Sequence, residues 1–178
     1  MSLDPNDAVD AIALGWLRER PGTPVDSIGV VTRLWQAGKF FGDDRTRLLR
    51  GADADAATLD LLSTLRRAGS PYRMTTRELA GAALITAGAI TQRVARAEKQ
   101  GLVIRAPRGP GSRQVDVELT QAGHDVVERL VDLVLGRELQ LLHHLDHEER
   151  DQLARLLRKL LDGLQTQEGD LKPGHVGH

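Results

Sequence analysis

The sequence predicts a mainly α-helical fold interrupted once by a β-hairpin, and three observations carry that expectation. Apolar residues recur at i, i+3, i+4 and i+7 through most of the chain, the spacing of helices that bury one face. Aromatic residues are only 3% of the total, and all five (Trp16, Trp35, Phe40, Phe41, Tyr72) lie in the first 72 positions, which leaves the later core to Leu, Val, Ile and Ala. Two short strand-like runs, 102–105 and 114–119, flank Pro107-Arg108-Gly109-Pro110-Gly111-Ser112, the composition of a flexible hairpin tip.

Each helix has a start or stop that can be read locally. Val9, Ile12, Ala13 and Trp16 form the stripe of a first helix from Asp7 to about Arg20, stopped by Pro21-Gly22. A long second helix follows from Asp26 to about Leu49, with Gly51 as stop and Asp53 as a new cap. A third, Ala57 to Ala68, buries Leu61, Leu62 and Leu65 and closes at Gly69-Ser70-Pro71. Thr75-Thr76-Arg77-Glu78 matches a capping box opening a short fourth helix to about Ala82. Thr86 caps a fifth helix that runs to Gln100 and ends at Gly101. Beyond the hairpin, Thr120 caps a long helix with Val127, Leu130, Val131, Val134, Leu135 and Leu139 in register, ending near His144. Asp146 caps the last, with Leu153, Leu156, Leu157, Leu160, Leu161 and Leu164 on one stripe. The tail from 166 to 178 is Gly-rich and polar, the composition of a disordered end.

Composition excludes several functions. The 178 residues are 40% hydrophobic and 28% charged, enough for one core of ordinary size and a small second lobe. The absence of cysteine rules out disulfides, thiolate metal sites, cysteine nucleophiles and thiol redox switching. No apolar run approaches the roughly 18 residues of a membrane span, and Met1-Ser2-Leu3-Asp4 does not open a signal peptide, so a cytoplasmic protein is expected. The net charge of -1 conceals a split: residues 66–118 carry ten Arg or Lys against four acids, for a charge of +6, while the rest carries -7. A basic middle between acidic flanks is suited to a polyanion, with a solvated basic surface as the alternative.

Two helices joined by a short turn and followed by a β-hairpin make a winged helix-turn-helix, whose second helix enters the major groove while the wing meets the flanking backbone. On the fifth helix Thr86, Thr91, Gln92, Arg93 and Arg96 are the DNA-binding candidates, and Arg108 and Arg113 those of the wing. The leucine stripes of the terminal helices exceed what a monomer of this size easily hides, so a homodimer is expected. The resulting division is 1–54 for the N-terminal helices, 55–119 for the DNA-binding domain, 120–165 for C-terminal dimerisation helices and 166–178 for the tail.

The run Thr86–Leu102 (TAGAITQRVARAEKQGL) and the run Val117–Gly123 (VELTQAG) resemble the MarR family of transcription regulators, over roughly residues 7 to 165. The extra N-terminal helix bearing Trp16, with Asp60, Arg93 and Arg105, is similar to its urate-responsive subgroup. That resemblance implies a homodimer on a palindromic operator, repression relieved by a planar anion such as urate, and a ligand-binding set of Trp16, Asp60, Arg93 and Arg105. Trp16 and Arg93 would contact ligand, and Asp60 and Arg105 would form a pair that ligand disrupts. Trp16 also reads as an ordinary buried or interfacial aromatic, and Asp60 as a solvated carboxylate. The family's wing usually carries an acid where this sequence has Gly111.

Other functional classes have less behind them. His143, His144 and His147 have the pattern H-H-x-x-H, but Asp146 as a cap interrupts the helix that would align them, so surface histidines rather than a metal site are expected. No catalytic constellation and no cofactor motif is present, so the chain is expected not to be an enzyme. A helical dimeric adaptor without DNA binding, or a MarR-like regulator that answers to no ligand, is the alternative.

Overall fold

The computed structural model describes residues 3–83, 86–108 and 115–167. The elements run α1 (Ala8–Glu19), α2 (Ile28–Gly51), α3 (Ala56–Arg67), β1 (Arg73–Thr75), α4 (Thr76–Ala83), α5 (Ala87–Lys99), β2 (Val103–Pro107), β3 (Val115–Leu119), α6 (Gln121–Leu141) and α7 (His147–Gln167). The mainly helical winged helix-turn-helix expected from the sequence is the fold found. The chain divides into two compact units, residues 1–45 and 46–178.

In the first unit Asp7 caps α1 by accepting the N–H groups of Val9 and Asp10. The Arg33 guanidinium of α2 then ties the start of α1 down, 2.6 Å from Asp7 and 3.1 Å from Asp10. The N–H of Asp10 and the guanidinium of Arg33 together hold the Asp7 carboxyl below the usual carboxylate range. Only half of the expected α1 stripe is buried. Val9 and Ala13 are covered, whereas Ile12 and Trp16 are about half exposed at 47% and 50%.

The second unit holds the main core. Leu61, Leu62 and Leu65 of α3, Leu79 of α4, Ile90, Val94 and Ala97 of α5, Val103 of β2, Val117 and Leu119 of β3 and Val127 of α6 form one buried cluster. Each large aliphatic side chain so buried contributes about 1.5–3 kcal/mol, and the cluster fixes α5 against α3 and the sheet. Leu49, Leu59, Leu130 and Val134 form a neighbouring cluster that seats α6 on the last turn of α2 and on α3.

The sheet is antiparallel with the order β1-β3-β2, so the hairpin expected from sequence gains a third strand. β1 pairs Arg73 with Glu118 and Thr75 with Asp116, while β2 pairs Val103 with Leu119 and Pro107 with Val115. The local signals hold elsewhere. Thr75 and Glu78 exchange the reciprocal bonds of a capping box, at 2.7 and 3.1 Å. Thr86 and Thr120 accept from the N–H groups of Ala89 and Gly123, and Asp146 with Glu149 makes a second reciprocal box. α5 ends in a Schellman turn: Gly101 at φ +72° donates to Glu98 and Leu102 donates to Ala97.

Two boundaries differ from expectation. Asp53 adopts a left-handed conformation (φ +55°) past the end of α2, and the cap of α3 is Asp55, which accepts from the N–H of Thr58. The last helix continues through residues 166 and 167, which the sequence reading placed in the tail; 168–178 lie outside the described residues. No helix of the described residues is long and apolar enough to cross a membrane.

Candidate nucleic-acid interface

α5 has one buried face, Ile90, Val94 and Ala97, and at 100° per residue its opposite face is Gly88, Gln92, Ala95 and Lys99, all exposed. Thr91 stands beside that face with its hydroxyl donating to the Ala87 carbonyl. Thr86 is exposed at the start of the helix, where its hydroxyl serves as the cap. The outward face therefore combines one amide, one ammonium and one hydroxyl with two very small residues. Lys99 was not among the sequence candidates. A helical wheel drawn outward from Ile90 and Val94 would have found it.

Arg93 and Arg96 point elsewhere. Both reach across to α3, where Arg96 Nη1 lies 2.7 Å from the Asp55 carboxylate and Arg93 Nη1 lies 3.7 Å from that of Asp60. The first pair is open to water, with side chains 64% and 43% exposed, and contributes at most about 1 kcal/mol to stability. The second is largely shielded, at 20% and 15%. There Arg93 Nη1 is buried and makes no hydrogen bond, because 3.7 Å is within electrostatic reach of Asp60 but beyond hydrogen-bond distance. Beside the two arginines is a recess of 310 Å³ lined by Ala57, Thr58, Ala89, Gln92, Arg93 and Arg96.

The expected partner of Arg105 is Asp60; in the structure the Arg105 guanidinium, on β2, lies 3.6 Å from Glu98 of α5, and Asp60 lies 3.7 Å from Arg93. Chain direction explains the difference: α5 packs on α3 along the side where Asp60 lies, whereas Arg105 follows the turn at Gly101 and meets the C-terminal end of α5. Of the expected ligand set, Asp60 and Arg93 are thus brought together, Arg105 is on another element facing another acid, and Trp16 belongs to the first unit.

At the wing, Arg108 follows β2 and donates its Nε–H to both oxygens of Asp116, at 2.9 and 3.1 Å. Its Nη2 lies 3.3 Å from Glu78. The N–H and hydroxyl of Thr75, with Arg108 beyond them, hold the Glu78 carboxyl below the usual range. Arg113 lies outside the described residues. The histidines at the α6–α7 turn make separate contacts: His143 Nδ1 is 2.7 Å from the Gln140 carbonyl and His147 Nδ1 is 3.3 Å from Asp151.

No protein-family model matches the chain. Among curated proteins it is 28% identical over 152 residues to the HTH-type transcriptional regulator PecS of Dickeya dadantii (strain 3937), covering 85% of this chain and 92% of that protein. Among solved structures it superposes with a TM-score of 0.63 on a mutant MarR from E. coli complexed with operator DNA, at 26% identity over 82% of this chain and 97% of that one. Over most of its length the chain is therefore similar to MarR-type transcription regulators. NadR in complex with 4-hydroxyphenylacetate is a further structural relative, with a TM-score of 0.57 and 25% identity over 74% of this chain and 91% of that one. The transcription regulators that it resembles are not enzymes.

Proposed function

We propose that this chain is a MarR-type regulator, a homodimer that binds a palindromic operator through α5 and the wing, and a repressor released by a planar organic anion such as urate. The observation that carries the reading is the pair of guanidinium–carboxylate ties, Arg93–Asp60 and Arg96–Asp55, that link the DNA-facing helix to α3 beside an open recess. The operator complex of MarR supports the DNA role, and the 4-hydroxyphenylacetate complex of NadR supports an aromatic anion as effector.

Thr86, Thr91, Gln92 and Lys99 stand where the groove would lie, with Arg96 at the edge and Arg108 and Arg113 on the wing. Exposed leucines on α6 and α7 and exposed aromatics on α2 supply the dimer surface, among them Trp35 at 74% and Leu139 at 61%. Arg96→Ala is expected to weaken operator binding by about 1–3 kcal/mol in a gel-shift titration while the melting temperature stays nearly constant. Unchanged affinity at physiological salt would remove Arg96 from the interface.

Release follows from the chemistry of the recess. An anion entering it gives the buried Arg93 Nη1 the acceptor that it lacks and sets a negative charge against Asp60. The tie between α5 and α3 then loosens. The ligand shifts the equilibrium only by its preference for the loosened state, so a few kcal/mol of differential affinity are required. Footprinting on DNA upstream of its own gene, with urate titrated into the millimolar range, tests the proposal. Wild-type protein should leave the site, while Asp60→Asn should blunt the release. Equal occupancy at every urate concentration would remove urate as the effector and leave the DNA-binding proposal standing.

A further inference from the structure

Asp116 is the most deeply buried charged side chain at the root of the wing, 1% exposed, and it stands on the central strand of the sheet. Its neighbour Val117 is also buried, so both faces of β3 are covered at this point. Val117 faces the apolar cluster. On the other face Asp116 is covered by charged side chains, with Arg108 at 2.9 Å and Arg73 of β1 at 3.9 Å. Burying a lone carboxylate costs several kcal/mol, and a guanidinium that donates to both of its oxygens offsets that cost.

The same contact orients the arginine. Nε–H is committed to Asp116 and Nη2 lies near Glu78, while Nη1 makes no hydrogen bond to a described residue. A guanidinium held by its Nε edge with donors to spare is pre-arranged for a second anion. The segment from Arg108 to Arg113 contains no acid of its own that could do this.

We propose that Asp116 is a positioning residue for the wing: it holds Arg108 so that the guanidinium meets a DNA phosphate, with Glu78 tying the same arginine to the first helix of the helix-turn-helix. This rests on the DNA-binding reading above. Arg108 then contributes one phosphate contact, which does not depend on base sequence, and Asp116 acts only through Arg108.

The test is binding of the full-length protein to a mixed-sequence DNA duplex across a potassium chloride series. Arg108→Ala should weaken binding roughly 3- to 10-fold at physiological salt and reduce the slope of log K against log salt by about 0.9. Asp116→Asn should lose most of that affinity and part of the slope, and the double variant should bind no more weakly than Arg108→Ala alone. Arg108→Lys, which keeps the charge but has no Nε–H donor, should resemble Arg108→Ala more than the parent. An unchanged slope in Arg108→Ala overturns the proposal, as does parental binding by Asp116→Asn or by Arg108→Lys. If Asp116→Asn does not fold, the lysine variant decides. Failure of the DNA-binding reading looks different, because the parent protein itself would then bind no duplex.

Discussion

Deleting residues 146–178 is expected to convert a stable dimer into monomers or aggregates and to abolish retention of a palindromic duplex. α7 is a 21-residue helix in which, from Asp151 to Thr166, only Leu157 is less than exposed in the isolated chain. In proteins most helical stability comes from packing of an amphipathic face rather than from propensity. The regular leucines of α7, including Leu156 at 58%, Leu161 at 53% and Leu164 at 49%, call for a partner surface. Each leucine that becomes covered contributes about 1.5–3 kcal/mol, so removing the stripe removes most of what holds two copies together. Losing the second copy also loses the simultaneous hold on two half-sites, worth about 10²- to 10⁴-fold in affinity. Light scattering on the truncated protein checks this, and a clean dimer after truncation counts against it.

Gly123→Ala is expected to destabilise the protein by about 1–3 kcal/mol, although alanine at a helical position ordinarily stabilises by about 1 kcal/mol. A Cβ at this position would lie 2.0 Å from the Leu102 carbonyl oxygen. That carbonyl cannot simply withdraw. It accepts the Thr120 N–H at 3.1 Å, and Leu102 itself donates to Ala97 in the turn that ends α5. Relief therefore requires moving α6 away from the end of α5. Thermal melts should show a fall of roughly 2–4 °C for each kcal/mol. Gly81→Ala, where nothing lies within 4 Å, is the control and should melt no lower than the parent. A Gly123→Ala protein that melts with the parent would show that the helix start yields freely.

The helix boundaries and the helix-turn-helix were legible because they depend on side chains bonding to backbone a few residues away: Thr75 with Glu78, Thr86 with Ala89, Thr120 with Gly123 and Asp146 with Glu149. β1 was not legible. Three residues are too few for an alternation to register, and the strand exists only because β3 offers it a free edge. Long-range geometry escaped for a related reason. Spacing along α5 places Arg93 and Arg96 near its polar side, but it takes α3 packed alongside, with Asp55 and Asp60 on the contact edge, to draw both arginines toward α3. In the same way Asp116 reads as one polar residue of an alternating strand until Arg108 and Arg73 are seen to close over it.

The small residues on the outward face of α5 bear on how such a helix selects a site. With Gly88 and Ala95 on that face, the backbone can settle deeply against a groove, but only Gln92, Thr91 and Lys99 are left on or beside it as side chains that can question base edges. One well-made bidentate contact discriminates by about 1–3 kcal/mol, too little by itself to single out an address among the many competitors in a genome. The vocabulary of each half-site is therefore short, and its grammar has to come from elsewhere: from the fixed interval between two copies of α5 and from how readily the intervening base pairs bend to match it. Operators for this protein should vary freely at many base positions while tolerating almost no change in the distance between their halves.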